Sequence, residues 1–161
     1  ILVDTAVTTG IVMVLVMAAG ALGWCISISR VPQTLTPMIL ETISSPLVFL
    51  LLVNVLLLVI GCFMEALAAM LILIPILAPA AASYGIDPVQ FGVIVVLNLI
   101  IGTITPPMGI VLFVVIRIAE ISFETMARAI LPWLVPLLAV LMAITLWPPL
   151  TLWLPGMMGR T

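Results

Sequence analysis

The stretch GVIVVLNLIIGTITPPMGIVLFVVI at residues 92–116 sets the architecture that the rest of the chain must accommodate. Apolar residues fill both of its ends, and GTITPPMG at 102–109 interrupts them in the middle. Two adjacent prolines cannot lie inside a continuous α-helix, because proline lacks the backbone N–H and its ring clashes with the preceding turn. The surrounding charge-free run, 88–116, exceeds the roughly 20 apolar residues that cross a bilayer. The stretch therefore predicts a discontinuous transmembrane helix with released backbone carbonyls and amides at membrane depth.

The composition of the whole chain indicates an integral membrane protein. Hydrophobic residues make up 66% of the 161 positions and charged residues only 6%, whereas soluble domains carry about 25% charged residues. The charge-free runs are 5–29, 42–64, 66–86, 88–116 and 129–159. Each run is at least about as long as a membrane-spanning helix requires. The sequence therefore predicts an all-α membrane protein with five membrane-embedded segments.

The segments and their connections divide the chain into six parts. We expect a transmembrane helix at 1–29, an interfacial connector at 30–46, a helical hairpin at 47–82, the discontinuous helix at 88–116, an amphipathic connector at 117–129 and a C-terminal transmembrane helix at 130–155. The connector at 117–129 carries charges at helical spacing, on Arg117, Glu120, Glu124 and Arg128. Side chains three and four residues apart share one face of a helix, so this spacing predicts one short helix with a solvated or headgroup-facing surface.

The hairpin at 47–82 has two apolar arms that meet at GCFME, residues 61–65. Prolines at 75 and 79 predict an interruption of the second arm. Short arms meeting at a glycine and an acid are typical of a re-entrant hairpin with its tip inside the membrane, although two ordinary spans with Glu65 at the interface fit the spacing equally well. Glu65 is a functional candidate because ionisable groups in membranes are costly, or it caps the second arm.

The broken helix offers oxygen atoms that can bind a hard cation. Its free carbonyls are joined by the hydroxyls of Thr103 and Thr105, and Asn98 adds an amide one turn before Gly102. Oxygen ligands without histidine or thiolate suit an alkali ion better than a transition metal, so we expect sodium held by Thr103 and Thr105. The alternative is a structural kink whose polar side chains bond only to neighbouring backbone.

Other function classes find little support in the residues. The net charge is −2 and the only basic residues are four arginines, so nothing neutralises the phosphates of a nucleic acid. Without histidine or a second acid beside Glu65, no paired catalytic group is present, and neither an enzyme nor a cofactor is expected. Two alternatives to a transporter stay open, namely a membrane scaffold or assembly subunit and an ion channel segment, because broken helices also line channels.

Four motifs resemble the C-terminal half of the large membrane (M) subunit of tripartite ATP-independent periplasmic (TRAP) transporters, a DctM-like permease. They are GCFMEALAAMLILIPILAP at 61–79, YGIDPVQFGVIVVLNLIIGTITPPMG at 84–109, LF at 112–113 and WLP at 153–155. The resemblance covers nearly the whole chain. The chain departs from the pattern at Gln90, where the family usually has histidine, and in having no N-terminal half.

The resemblance implies a sodium-driven symporter in the inner membrane of a bacterium or archaeon. Its cargo would be an organic anion, such as a C4-dicarboxylate, sialic acid or another sugar acid, delivered by a periplasmic binding protein. The implied partners in the lipid bilayer are a small Q-type subunit and the N-terminal half, which together with this half would form an inverted-repeat, elevator-type transporter. The implied sodium site lies between the hairpin tip near Gly61 and the helix break. The full candidate set for sodium or substrate is Gly61, Glu65, Asn98, Gly102, Thr103, Thr105, Pro106, Pro107, Met108 and Gly109.

Overall fold

The fold is a bundle of helices, seen in a computed structural model that describes residues 2–29, 31–106 and 109–158. Eight helices lie in these ranges. They are α1 (Leu2–Ile28), α2 (Val31–Thr42), α3 (Pro46–Phe63), α4 (Ala66–Ser83), α5 (Pro88–Thr103), α6 (Ile110–Ala119), α7 (Phe123–Leu146) and α8 (Pro149–Met157). The described residues contain no strand, which confirms the all-α class.

Among the residues that the structure describes, three helices are long and apolar enough to cross a membrane, namely α3, α4 and α7. Helix α5 is equally apolar but has 16 residues, so at 1.5 Å per residue it extends about 24 Å, short of the roughly 30 Å hydrocarbon core. Helix α6 resumes after the break at 104–109. The predicted discontinuous helix therefore consists of α5 and α6, and α6 continues three residues beyond the predicted end at 116.

Helix α5 lies at the centre of the bundle and packs against α3, α4, α7 and α8. Its inner face contributes Ile94 and Leu99, both fully buried, and α3 contributes the fully buried Leu57. Contacts between α3 and α5 pair Asn54 with Asn98 and Gly61 with Gly102. Asn54 precedes Gly61 in α3, and its partner Asn98 precedes Gly102 in α5. The two helices therefore run in the same direction, and α4 returns the chain from the end of α3 to the start of α5.

The start of α5 follows from its local sequence. Gly85 adopts a positive φ of 73°, which glycine accepts without strain, and so reverses the chain after α4. The Asp87 carboxylate then caps α5 by accepting a 2.7 Å hydrogen bond from the Val89 backbone N–H. Pro88 occupies the first helical turn, where its missing N–H costs nothing. The turn at 84–88 therefore sets the direction from which α5 enters the bundle.

Helix α4 runs from Ala66 to Ser83 through both Pro75 and Pro79, so the expected interruption of this arm is wrong. Each proline removes one backbone hydrogen bond, but α4 packs against α1, α2 and α5, and those contacts hold it in one piece. With 18 residues each, α3 and α4 both extend about 27 Å. Helix length therefore does not separate a re-entrant hairpin from two ordinary spans.

The single amphipathic helix expected at 117–129 is also absent from the structure. Arg117 lies in the last turn of α6, and Glu120 after this helix adopts the left-handed conformation with φ of 53°, which stops the helix. Ser122 then begins α7, where Glu124 and Arg128 form an exposed 3.0 Å ion pair. The four charges therefore do not share one helix, because Arg117 lies on α6, Glu120 lies in the turn, and the other two lie on α7.

The C-terminal segment differs from the expected single helix at 130–155 as well. Helix α7 starts earlier, at Phe123, and ends at Leu146, and α8 begins at Pro149. The consecutive prolines 148 and 149 account for the division, because proline restricts the residue before it and cannot donate to the helix it would continue. In contrast, Pro132 and Pro136 lie inside α7 without ending it.

Tyr84 connects the end of α4 to the segment between α2 and α3. Its hydroxyl donates a 2.6 Å hydrogen bond to the Ile43 carbonyl, and its ring stacks on Phe49 with centroids 4.8 Å apart. The hydroxyl thereby satisfies a backbone carbonyl just after the end of α2.

We expect Tyr84→Phe to lower the free energy of unfolding by about 1 kcal/mol, the usual net value of one hydrogen bond, while the ring stacking persists. Thermal unfolding of the purified protein in detergent measures this loss. The control is Ser83→Ala, which removes an exposed hydrogen bond to the Pro79 carbonyl and should leave the unfolding temperature nearly unchanged. Equal unfolding temperatures for Tyr84→Phe and the unmodified protein would contradict the assignment.

Candidate functional site

The ends of α3 and α5 meet through two glycines. A Cβ atom on Gly102 would lie 2.7 Å from the Gly61 Cα, and one on Gly61 would lie 3.0 Å from the Leu99 carbonyl oxygen. The first distance is shorter than Cβ contacts in proteins, the second is tighter than nearly all of them, and the atoms met are backbone atoms that cannot rotate away. Only glycine permits this approach, which brings the turn between α3 and α4 against the break between α5 and α6.

The break after α5 is a tight, hydrogen-bonded turn. The Ile104 and Thr105 amides donate to the Ile101 and Gly102 carbonyls at 3.2 and 3.0 Å. Gly109 closes the turn, since a Cβ there would lie 2.6 Å from the Thr103 carbonyl oxygen and 3.1 Å from that of Thr105. The break therefore brings backbone carbonyls close to a glycine Cα. Pro106 is half-buried in this turn.

Two of the predicted residues, Pro107 and Met108, lie outside the described residues. The predictions made for them stay predictions.

The hydroxyls of Thr103 and Thr105 both donate to backbone carbonyls one turn earlier, those of Ile100 and Ile101, at 2.7 Å. Both side chains are half-buried. A hydroxyl that donates its hydrogen in this way still has oxygen lone pairs to offer. The two threonines therefore have the chemistry of cation ligands as well as that of helix-end packing, and their hydrogen bonds orient the oxygens.

Glu65 caps α4. Its two carboxylate oxygens each accept a 2.9 Å hydrogen bond, one from the Leu67 N–H and one from the Ala68 N–H, and the side chain is exposed. The capping alternative considered for Glu65 therefore describes its contacts in the structure. Its negative charge lies at the positive end of α4, where it is stabilised.

Two helix C-termini and two helix N-termini converge at this place. At the end of α3 the Met64 N–H donates a 2.8 Å hydrogen bond to the Ile60 carbonyl. The carbonyls after Ile60 therefore form the open, partly negative end of the helix. Helix α5 ends beside it. Helix α6 follows Gly109 and has no side-chain cap, in contrast to α4, which Glu65 caps. The arrangement offers carbonyls to a cation and amides to an anion.

A buried polar network lies about one turn before the end of α5 and connects this helix to α3 and α7. The Asn98 side-chain Nδ2 donates to the Asn54 side-chain Oδ1 at 2.6 Å, and the Asn54 Nδ2 donates to the Thr145 hydroxyl at 2.9 Å. All three side chains are at most 4% exposed. Sequence reasoning singled out Asn98 but missed Thr145, whose partner lies 91 positions away. The only signal was the rarity of polar side chains within these apolar runs.

Gln90 makes a second polar contact between α5 and α7. Its side-chain amide lies 3.4 Å from the Ile144 carbonyl oxygen and 3.5 Å from that of Thr145. These contacts join α5 to the last turn of α7 without involving Asn54 or Asn98.

Helix ends that converge inside an apolar bundle are the architecture of membrane transporters built from discontinuous helices. Residues 1–150 match the family model for the DctM component of the tripartite ATP-independent periplasmic transporters. The chain belongs to this family.

Curated relatives share substantial identity with nearly the whole chain. It is 48% identical over 155 residues to the sialic acid TRAP transporter large permease protein SiaM of Vibrio cholerae, covering 96% of this chain and 36% of that protein. It is 42% identical to the isethionate TRAP transporter permease protein DctMQ of Oleidesulfovibrio alaskensis, covering 96% and 24%. The C4-dicarboxylate large permease DctM of Pseudomonas aeruginosa is 38% identical, covering 100% and 38%. The chain thus spans between a quarter and two fifths of these relatives.

We expect Gly102→Ala to destabilise the protein, because the added methyl would push α3 and α5 apart. Overpacking of this kind costs about 1–3 kcal/mol. The matched control is Gly92→Ala on the same helix, where no atom lies within 4 Å of the new Cβ. Alanine at Gly92 should be neutral or stabilising by up to about 1 kcal/mol through helix propensity. Thermal unfolding of both variants in detergent makes the comparison, and equal stabilities would contradict the close backbone contact.

The contact between Gly61 and Gly102 also predicts the depth of the turn at 61–65. Because α5 and α6 belong to one apolar segment, we expect their break to lie within the membrane and the turn at Gly61 to lie at the same level. We therefore expect a re-entrant hairpin. In a variant without Cys25 and Cys62, Met64→Cys should not react with a membrane-impermeant maleimide from the face opposite Ser45.

Ser83→Cys supplies the reference for this experiment, since α3 starts and α4 ends at the same side of the bundle. It should label from the face where Ser45→Cys labels. If Met64→Cys instead labels readily from the opposite face, α3 and α4 are two complete spans and the hairpin interpretation is wrong.

Proposed function

We propose that this chain is part of the large permease subunit of a sodium-coupled transporter that imports an organic anion. The observation that carries the proposal is the backbone contact between Gly61 and Gly102, which brings a helical turn and a helix break together within an apolar bundle. Transporters with discontinuous helices bind their coupling ion and substrate at such places.

Sodium fits the oxygen atoms that surround this contact. The open carbonyl end of α3, the carbonyls of Thr103 and Thr105 beside Gly109, and the two threonine hydroxyls are all hard, neutral ligands. No group of three or more histidine, cysteine, aspartate or glutamate side chains that could hold a metal occurs among the described residues. Neutral oxygens near helix C-termini suit a monovalent cation, which the partial negative charges of the helix ends stabilise.

An anionic substrate fits the other half of this arrangement. The uncapped start of α6 presents backbone N–H groups and a partial positive charge, which favour an anion. The named cargoes of the relatives, sialic acid, isethionate and C4-dicarboxylates, are all anionic at neutral pH. We infer an organic anion of this kind, bound next to the ion so that each charge stabilises the other.

The working transporter needs parts beyond these residues. Because the chain spans 36% of SiaM, we propose that the remaining length of the subunit supplies a matching half-site and that the two halves operate by an elevator-type movement. The proposed partners are a small Q-type membrane subunit and a periplasmic substrate-binding protein. The proposed location is the bacterial or archaeal inner membrane.

We expect Thr105→Val to weaken sodium dependence in the complete transporter. Valine keeps the shape and removes one oxygen, and losing a polar contact in a dry site costs on the order of 1–3 kcal/mol, about a tenfold or larger rise in the half-saturating sodium concentration. Thr103→Val should act in the same direction. The measurement is sodium-dependent uptake of the organic anion into proteoliposomes that contain all membrane subunits, with the binding protein added.

Thr42→Val is the matched control for this experiment. Thr42 makes the same kind of hydrogen bond, to the Met38 carbonyl at 2.8 Å, but lies on α2 and outside the proposed site. If neither Thr103→Val nor Thr105→Val changes the half-saturating sodium concentration while both fold normally, the break is a structural kink. Flux that persists without sodium would indicate a channel instead.

A further inference from the structure

The carbonyl oxygen of the Asn98 side chain, Oδ1, is buried without a hydrogen-bond partner. It is the one such side-chain acceptor among the residues that the structure describes. Asn98 is fully buried, four residues before Gly102, which places it one helical turn along α5 from the contact with Gly61. A buried carbonyl that makes no hydrogen bond costs about 1–3 kcal/mol, so its retention calls for a partner.

The neighbouring groups determine which way round the Asn98 amide lies. Its Nδ2 donates to two acceptors, the Ile94 carbonyl at 3.0 Å and the Asn54 Oδ1 at 2.6 Å. Exchanging the oxygen and nitrogen of Asn98 would bring its oxygen to 3.0 Å from the Ile94 carbonyl oxygen, and two oxygens without a hydrogen between them repel. The Asn98 nitrogen therefore faces the Ile94 carbonyl, and the Asn98 Oδ1 is the atom without a hydrogen-bond partner.

The rest of the network supports the same orientation. Since Asn54 accepts from Asn98, its own Nδ2 is free to donate, and it does so to the Thr145 hydroxyl at 2.9 Å. The Thr145 hydroxyl in turn donates its hydrogen to the Leu141 carbonyl at 2.7 Å. Each donor in this chain of hydrogen bonds therefore has a defined acceptor, so α7 holds Asn54, and Asn54 helps to hold Asn98.

We propose that Asn98 Oδ1 is a further ligand of the coupling ion and that Asn54 and Thr145 are positioning residues that hold it in place. This inference rests on the proposed function, because it extends the sodium site one turn along α5. An amide carbonyl is a hard, neutral oxygen, which suits sodium for the same reasons as the carbonyls of the break. The ligand is held in advance by hydrogen bonds to α3 and α5, so little ordering is needed when the ion enters.

The decisive variants act on Thr145, which does not itself touch the ion. Thr145→Val removes the acceptor for the Asn54 amide at almost constant volume, and Thr145→Ser retains it. We expect the half-saturating sodium concentration to rise by about fivefold in Thr145→Val, equivalent to one lost hydrogen bond. Thr145→Ser should restore the original value. The KM for the organic anion at saturating sodium should be unchanged in both.

Gln90→Met is the matched control. It removes the other polar contact between α5 and α7 and leaves the chain from Asn98 to Thr145 intact. We expect it to change the unfolding temperature without changing the half-saturating sodium concentration. If the network served only to join the helices, Thr145→Val would behave like Gln90→Met. Both variants would then change the unfolding temperature and leave the half-saturating sodium concentration unchanged.

Asn98→Leu tests the ligand directly by thermal unfolding of the complete transporter in sodium chloride and in potassium chloride. We expect the stabilisation by sodium over potassium to be reduced in this variant and in Thr145→Val. If the stabilisation and the half-saturating concentration both stay at their original values, Asn98 binds at most a buried water and the inference is wrong.

Comparison with Thr105→Val separates this inference from the proposed function. A shift in Thr105→Val without a shift in Thr145→Val overturns the role of the network and leaves the sodium site at the break in place. If neither variant shifts the sodium dependence, the proposed function fails and this inference fails with it.

Discussion

The contact between the Cα atoms of Gly61 and Gly102 is the constraint on which the other features depend. Together with the Asn98–Asn54 hydrogen bond it sets α3 and α5 side by side in the same direction, so α4 must return the chain between them. It also places a turn next to a helix break, where each leaves backbone groups without helical partners. Lipid cannot satisfy such groups, so they persist only where protein surrounds them. A side chain at either glycine would separate the two helix ends.

The electrostatic character of the site follows from this geometry with little help from ionised side chains. Helix C-termini bring carbonyl oxygens, helix N-termini bring amides, and the one acid nearby, Glu65, is engaged in capping α4. Partial charges of this kind act over short distances and need no desolvated ion pair. A site built from backbone dipoles can therefore hold a cation or release it without leaving a full charge buried.

The sequence predicted the break at 102–109, but it did not predict several other helix boundaries or the contacts between distant residues. The discontinuity at 102–109 and the alternative of a cap at Glu65 were readable because proline, glycine and acidic residues act on their own turns. The sequence could not predict that α4 continues through Pro75, because packing against three neighbouring helices determines this continuity. Charge spacing at 117–129 gave no sign of the reversal at Glu120, which interrupts the helix while the spacing continues. The network of Asn98 depends on pairs 44 and 91 positions apart, for which no local pattern exists.

The long reach of that network has a consequence for the biosynthesis of the protein. Asn54 is translated 91 residues before Thr145, so at roughly 5–20 residues per second its amide spends about 5–18 s without that partner. During this time α3 has to enter the membrane with an unsatisfied amide near its centre, and the apolar residues along the rest of the helix offset the cost. Insertion of α3 and its final packing are therefore separate events, and the second waits for the last long helix to be synthesised.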